Sequence, residues 1–85
     1  MPIFAVEVRS KGDHTPKKNE EYAEKRAAYF AAGTQVVWDV NPRHKTIASY
    51  RADAPDEPRV FRAGDIADAE PALPGWRVSV INLMP

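Results

Sequence analysis

The first apolar run of the chain predicts a buried β-strand. Residues 3–9 combine β-branched and other apolar side chains with one carboxylate and one arginine, a composition typical of strands. The following Lys11-Gly12-Asp13 sequence interrupts this pattern. We therefore expect the strand to end before Lys11.

A helix is predicted to follow the strand. Thr15 is a suitable N-cap residue, and Pro16 fits the first helical position, where a missing N–H group costs nothing. The residues up to about Ala32 are mainly alanine, glutamate, lysine and arginine, which are good helix formers. Gly33 can adopt the left-handed conformation that often ends a helix.

A second apolar run at residues 35–40 completes a strand–helix–strand unit. Two strands joined in this way are expected to lie parallel, with a right-handed crossover. A turn at residues 41–44 then leads to a strand at residues 46–51, which should pair antiparallel with its predecessor. The predicted fold class is α/β, with one helix against a small mixed sheet.

The C-terminal part of the chain carries weaker signals. Residues 52–58 are acidic and contain two prolines, so they predict a loop before a short strand at residues 59–62. Residues 65–74 are predicted to be mostly loop, and residues 76–80 an edge strand. The apolar side chains near the end are expected to pack back onto the core; they are Ile81, Leu83 and Met84.

Composition narrows the class of protein. The chain has no cysteine, which excludes a disulfide framework and a thiolate metal cage and makes the cytoplasm the expected location. It contains neither a stretch that suits a membrane span nor the features of a signal peptide. Twelve basic and twelve acidic residues cancel, so the chain lacks the strong net charge of non-specific nucleic-acid binders.

Glu7 is the first candidate for chemistry. The period of two along a strand places it on one face with Ala5 and Arg9. A carboxylate among apolar residues is costly to bury unless a cation or metal compensates it. Spacing alone slightly favours a structural ion pair between Glu7 and Arg9, and the alternative is a functional carboxylate that needs another partner.

Lys25 is the second candidate. At 100° per residue, Lys25 borders the helix face that is predicted to point toward the sheet. That face carries Tyr22, Arg26, Tyr29 and Phe30, whereas Glu20 and Glu24 lie on the opposite, solvated face. Lys25 and Arg26 could simply extend their apolar stems along the core and hold their charges in water. A functional role requires Lys25 to meet Glu7.

The other polar candidates are weaker. Asp13 and His14 are adjacent in the loop after the first strand and could ligate a metal, although two side chains are fewer than a metal site requires. His44 is expected to be solvated, and Asp39 could line a site or serve only the turn that follows it. The chain has no glycine-rich phosphate loop and no nucleophile elbow.

Three segments jointly resemble a known family. They are FAVEVRSKGD, EKRAAYFAAGTQVVWDVNP and EPALPGWRVSV. Their distinctive features are a glutamate–valine strand followed by serine, a Lys-x-x-x-Tyr helix that leads to a glycine, a tryptophan-bearing strand that ends in Asp and Pro, and a late Leu-Pro-Gly-aromatic sequence. In these features nearly the whole chain resembles the Uma-type restriction endonuclease domain of the PD-(D/E)XK nuclease superfamily.

The resemblance implies a nuclease that depends on Mg²⁺ or Mn²⁺ and acts on DNA. Glu7 would bind the metal from the third core strand, and the backbone carbonyl of Val8 could reach the same ion. Lys25 would stabilise the transition state or position the attacking water. Arg9 occupies the usual place of the superfamily lysine and could hold a phosphate, but it ranks below Lys25 because a guanidinium can hardly act as a general base.

The resemblance also implies that part of the domain is missing. Family members carry a helix and two strands ahead of the first strand found here, and the second of those strands supplies an aspartate that shares the metal. Residues 1–85 would then be a single, truncated restriction-endonuclease-like domain, the C-terminal portion of the fold. We expect negligible nuclease activity from the isolated chain, because one carboxylate with waters binds magnesium poorly.

Two further hypotheses follow from the missing part. The chain could be a non-catalytic remnant of the fold that acts as a binding or structural module. It could also form a homo-oligomer, because dimerisation would cover the apolar strand edge that the missing strands leave unpaired.

Overall fold

The computed structural model describes residues 2–84 and has a mixed α/β fold, as the sequence predicted. A four-stranded sheet and one main helix are followed by a two-stranded sheet and a short helix. The elements in chain order are β1 (Phe4–Val8), α1 (Pro16–Ala31), β2 (Val36–Asn41), β3 (Thr46–Arg51), β4 (Ala54–Phe61), β5 (Ile66–Asp68), β6 (Arg77–Ser79) and α2 (Val80–Leu83).

The main sheet has the strand order β1-β2-β3-β4. β1 and β2 pair in parallel, and β3 pairs antiparallel with both β2 and β4. The predicted strand–helix–strand unit and the β2–β3 hairpin are therefore confirmed. The parallel register sets Glu7 opposite Asp39, so the two carboxylates share one face of the sheet.

The two faces of the main sheet differ in character. The face away from α1 carries the apolar core, in which Trp38 and Ile47 are fully buried. Phe4 packs edge-on against Trp38, with 5.1 Å between ring centroids. The other face meets α1, a helix without a single buried residue. Ala5 and Val37 are buried on this face of the sheet, and polar and aromatic contacts add to this small apolar contact in attaching the helix.

The ends of α1 follow the sequence prediction. The Thr15 hydroxyl accepts a hydrogen bond of 3.1 Å from the backbone N–H of Lys18, and Pro16 begins the helix. Gly33 adopts a φ of 101° just after the helix, a conformation that glycine reaches without steric cost. Among residues 2–84, no helix has the length and apolarity needed to span a membrane.

The predicted loop at residues 52–58 is wrong, since β4 already begins at Ala54. Pro55 and Pro58 are tolerated because β4 is the edge strand of the sheet and the register with β3 shifts between Ser49 and Arg51. An edge strand and a bulge are the two places in a sheet that can lose a backbone donor.

The C-terminal residues also depart from the prediction. Part of the expected loop at residues 65–74 is the strand β5, which pairs antiparallel with β6 in a separate sheet. The region predicted as an edge strand contains β6, and α2 follows it directly. Met84 packs against the core as expected, but Ile81 and Leu83 are 48% and 43% exposed. The one-turn α2 turns both side chains outward, and Val80 takes the buried position instead.

Replacing Thr15 with alanine should lower the free energy of unfolding by about 1 kcal/mol, because the Lys18 N–H loses its acceptor. Thr15→Ser keeps the hydroxyl and serves as the control. Urea denaturation followed by circular dichroism measures both. An equal loss in the two variants would show that the methyl group, and not the cap, contributes the stability.

Candidate functional site

Glu7 and Lys25 meet on the face of the sheet that α1 covers. The Lys25 Nζ atom lies 3.6 Å from Oε2 of Glu7, and the Tyr29 hydroxyl donates a hydrogen bond of 3.2 Å to Oε1. The Glu7 side chain is 18% exposed and that of Lys25 is 61% exposed. The carboxylate is thus held from two sides, while the ammonium group remains open to solvent.

Arg9 does not form the ion pair with Glu7 that strand spacing favoured. Its Nε and Nη2 atoms donate to the carboxylate of Asp39 at 2.9 and 2.8 Å. Its Nη1 atom donates to the backbone carbonyl of Asp13 at 2.7 Å and to the side chain of Asn19. All three guanidinium nitrogens are engaged, and they join β1, β2, the loop after β1 and the first turn of α1.

Arg9, Arg26 and Asp39 form what we call the Asp39 cluster. The Arg26 Nη1 atom lies 3.7 Å from Asp39 Oδ2, and its guanidinium stacks on Tyr50 at 3.9 Å from the ring centroid. At most 15% of any of the three side chains is exposed. The hydrogen bond to Asp39 raises the pKa of Arg9 above its usual value.

The sequence allows two interpretations of Asp39, as a carboxylate inside an apolar strand and as a residue of the following turn. Asp39 interrupts the apolar β2 just as Glu7 interrupts β1, and a buried carboxylate is costly in either strand. A position two residues before Asn41-Pro42 is equally typical of turn chemistry. That second interpretation makes Asp39 a weak candidate in the sequence, although the structure gives it a central place.

Asp13 closes the loop between β1 and α1. Its Oδ2 atom accepts hydrogen bonds from the backbone and hydroxyl of Ser10 at 2.9 and 3.1 Å, and from the Tyr22 hydroxyl at 3.0 Å. These bonds, that from the Ser10 backbone first, lower the pKa of Asp13 below its usual value. Burial and the bond to Asp13 raise the pKa of Tyr22. His14, the other weak ligand candidate, packs edge-on near His44, with 6.5 Å between ring centroids.

The Val8 carbonyl lies on the free side of β1. The Arg9 N–H donates to the carbonyl of Val40 on β2 at 2.9 Å, and neighbouring residues of a strand direct their backbone groups to opposite sides. The Val8 carbonyl therefore points away from β2, toward the edge where the sheet ends. Its predicted role as a metal ligand stays a prediction.

The described residues do not by themselves complete a metal site. Between Pro2 and Met84, no three side chains of the ligand-forming types lie close enough together to hold an ion. Asp39 is the nearest partner of Glu7 in the strand register, but two arginines occupy its carboxylate. Mg²⁺ and Mn²⁺ need more oxygen ligands than Glu7 and one carbonyl can provide.

Comparison with known proteins identifies the family of this chain. The Uma2 family profile, described as "Putative restriction endonuclease", matches residues 1–82. The chain belongs to the Uma2 family. The match includes Glu7, Arg9 and Lys25, although the roles of these Uma2 residues stay predictions.

A solved structure shares the fold of this Uma2 chain. It is the crystal structure of a "putative nuclease belonging to DUF820" from Anabaena variabilis ATCC 29413, with a TM-score of 0.74 and 20% sequence identity. The match covers 96% of this chain and 43% of that chain. This chain therefore spans less than half the length of the nuclease that it matches. No curated protein matches the chain significantly.

Replacing Asp39 with alanine should destabilise the protein by roughly 3 kcal/mol or more, because two largely buried guanidinium groups lose their counter-ion. The matched control is Asp53→Ala, which breaks an exposed pair of 3.5 Å with Arg51 and should change stability by less than about 0.5 kcal/mol. Urea denaturation measures both. Equal, small losses would contradict the organising role that we assign to Asp39.

Acid should weaken the loop after β1 through Asp13. A carboxylate whose pKa is lowered on folding contributes stability that is fully present above its unfolded pKa, near the usual 3.8, and is lost as the pH falls through the lower folded pKa. The thermal midpoint of the wild type should therefore fall more steeply below about pH 4 than that of Asp13→Asn. Parallel pH profiles for the two proteins would refute this assignment.

Proposed function

We propose that this chain contributes Glu7 and Lys25 to a divalent-metal-dependent nuclease site that hydrolyses phosphodiester bonds, with DNA as the expected substrate. The observation that carries the proposal is the 3.6 Å contact between the two side chains on the helix-covered face of the sheet. Membership in a restriction endonuclease family supports the same reaction class.

Glu7 would serve as a metal-binding carboxylate, with the Val8 carbonyl as a neighbouring ligand. Mg²⁺ or Mn²⁺, when bound, would supply a water of lowered pKa and would neutralise charge on the scissile phosphate. The Tyr29 hydroxyl fixes one Glu7 oxygen and thereby limits the directions in which the carboxylate can point. The contact with Lys25 offsets the charge of Glu7 while no cation is bound.

Lys25 would act on the phosphate. Its side chain is largely exposed and has one carboxylate partner among residues 2–84, so it can reach a substrate without leaving a buried pair broken. A flexible ammonium group in this position can stabilise the negative charge that develops in the transition state. Arg9, the other candidate for a phosphate contact, would first have to leave Asp39. We therefore assign Arg9 a smaller role than Lys25 in binding the phosphate.

The site needs a second metal-binding carboxylate from polypeptide beyond residues 2–84. Its source could be a longer form of this protein or a partner chain, including a second copy of this one. The shortage of ligands among the described residues favours one alternative function, a non-catalytic module that binds or supports another protein. A cytoplasmic location belongs to both proposals.

A chimera tests the nuclease proposal directly. The part of the Anabaena variabilis nuclease that the match leaves uncovered would be joined to this chain, and plasmid nicking would be measured with Mn²⁺. We expect nicking that Glu7→Gln and Lys25→Met each reduce by about 100-fold or more. Glu20→Gln, on the exposed side of α1, should leave the rate unchanged.

The outcome of this experiment separates the two functions. The isolated 85-residue chain should show negligible nicking under the same conditions, because its ligand set is incomplete. A folded chimera without activity would contradict the nuclease proposal and favour the non-catalytic module. Robust cleavage by the isolated chain, abolished by Glu7→Gln, would show that the second carboxylate is not needed.

A further inference from the structure

The charges of this chain cancel overall but are unevenly distributed. Six of its twelve basic residues lie in residues 9–18 and 43–45, together with one of its twelve acidic residues. We call these six residues the basic end: Arg9, Lys11, Lys17, Lys18, Arg43 and Lys45. Both segments follow the C-terminal ends of the neighbouring parallel strands β1 and β2. They therefore emerge at the same end of the strands.

Ion pairing differs between the basic end and the rest of the protein. Three arginines of the C-terminal part each contact a carboxylate, at 3.5 Å for Arg51, 3.3 Å for Arg59 and 3.0 Å for Arg77. Within residues 2–84, four members of the basic end have no carboxylate within 4.0 Å: Lys11, Lys17, Arg43 and Lys45. Arg62 is the one C-terminal arginine without such a contact among residues 2–84, so most of the unpaired cations lie at the basic end.

The surface of the basic end is concave. A cavity of about 550 Å³ is lined by Arg9, Ser10, Lys11, His14, Pro42 and Arg43. The contact between the His14 and His44 rings confirms that the two segments lie side by side. A concave surface with basic side chains on both sides can surround a phosphodiester backbone, which a flat scatter of lysines cannot do.

The basic end is continuous with the Glu7–Lys25 site. The Arg9 guanidinium and the Lys25 ammonium both lie over the Tyr22 ring, at 4.5 and 5.8 Å from its centroid. Tyr22 therefore joins the two regions along the start of α1. A polyanion held at the basic end would extend toward the candidate catalytic pair.

We propose that the basic end binds the phosphate backbone of nucleic acid next to the candidate nuclease site. The choice of nucleic acid as the partner rests on the proposed function. An anionic membrane is disfavoured by the composition of the two segments, RSKGDHTPKK and RHK. They contain no aliphatic or large aromatic side chain to insert between lipids, which membrane-binding basic surfaces need in addition to charge.

Binding without catalysis tests the proposal. A fluorescent DNA duplex of about 20 base pairs would be titrated with the 85-residue chain in EDTA, and Kd would be measured by anisotropy between about 50 and 200 mM salt. The test variant combines Lys11→Ala, Lys17→Ala and Arg43→Ala. It should bind at least about tenfold more weakly at the lower salt concentration. The slope of the logarithm of the binding constant against the logarithm of the salt concentration should become shallower by about 2 to 3, which is close to one for each phosphate that is no longer neutralised.

The control variant combines Arg51→Ala, Arg59→Ala and Arg77→Ala, which removes the same number of charges from paired sites. It should lose less than about threefold in affinity, because those arginines lie outside the basic end, Arg51 opposite Val36 at the other end of β2, and salt screens exposed charges over about 10 Å. A second test variant, Lys11→Arg, Lys17→Arg and Arg43→Lys, should bind like the wild type. Circular dichroism verifies that all variants are folded.

Three results would overturn the proposal: no binding by the wild type at the lower salt concentration, equal losses in both alanine variants, or stronger binding to phosphatidylserine vesicles than to DNA. Because these measurements involve no cleavage, they are independent of the chimera experiment. An inactive chimera together with binding that depends on the basic end would refute the nuclease site and leave this surface standing. Cleavage by the chimera, together with unaltered DNA binding by the variant that combines Lys11→Ala, Lys17→Ala and Arg43→Ala, would support the nuclease site and refute this surface.

Discussion

The contact on which this structure depends is the ion pair between Asp39 and Arg9. Apolar burial supplies most helix docking in small domains, but this helix has no buried residue of its own and covers only the small side chains of Ala5 and Val37 on the sheet. Here one carboxylate on β2 binds a guanidinium from β1, and that guanidinium also binds the following loop and Asn19 on α1. The direction of the helix, and therefore the place of Lys25 above Glu7, follows from this largely buried contact.

The strand register places two neighbouring carboxylates in different surroundings. Glu7 and Asp39 are aligned on adjacent strands, yet Asp39 is saturated by two arginines while Glu7 has a tyrosine hydroxyl and an exposed lysine. Breaking the Asp39 ion pairs would leave charge buried without compensation, whereas Lys25 can move away from Glu7 into water at little cost. The exposure of the cationic partners thus separates Asp39, whose arginines are largely buried, from Glu7, whose lysine is open to solvent.

The sequence predicted most of the N-terminal half and less of the rest. Thr15, Pro16 and Gly33 defined the helix because each acts through local backbone chemistry, and the apolar runs on either side of it determined the parallel pair. The loop predicted from Pro55 and Pro58 was wrong because the effect of a proline depends on whether its strand lies at an edge, which is a property of the whole sheet. The meeting of Glu7 with Lys25 could be anticipated from two periodicities. The choice of Asp39 over Glu7 by Arg9 could not, since it depends on the register in which β1 and β2 pair.

Net charge is a poor guide to electrostatics in this protein. A total of zero argues against binding to a polyanion, but a ligand experiences the field within one Debye length, about 10 Å, and not the sum over the molecule. Local pairing offsets three of the four arginines of the C-terminal part, namely Arg51, Arg59 and Arg77. The parallel strands bring two basic segments, far apart in sequence, to the same end of the strands. A chain with a net charge of zero can in this way present a cluster of basic side chains beside a carboxylate, which is the combination that a metal-assisted reaction on a phosphodiester requires.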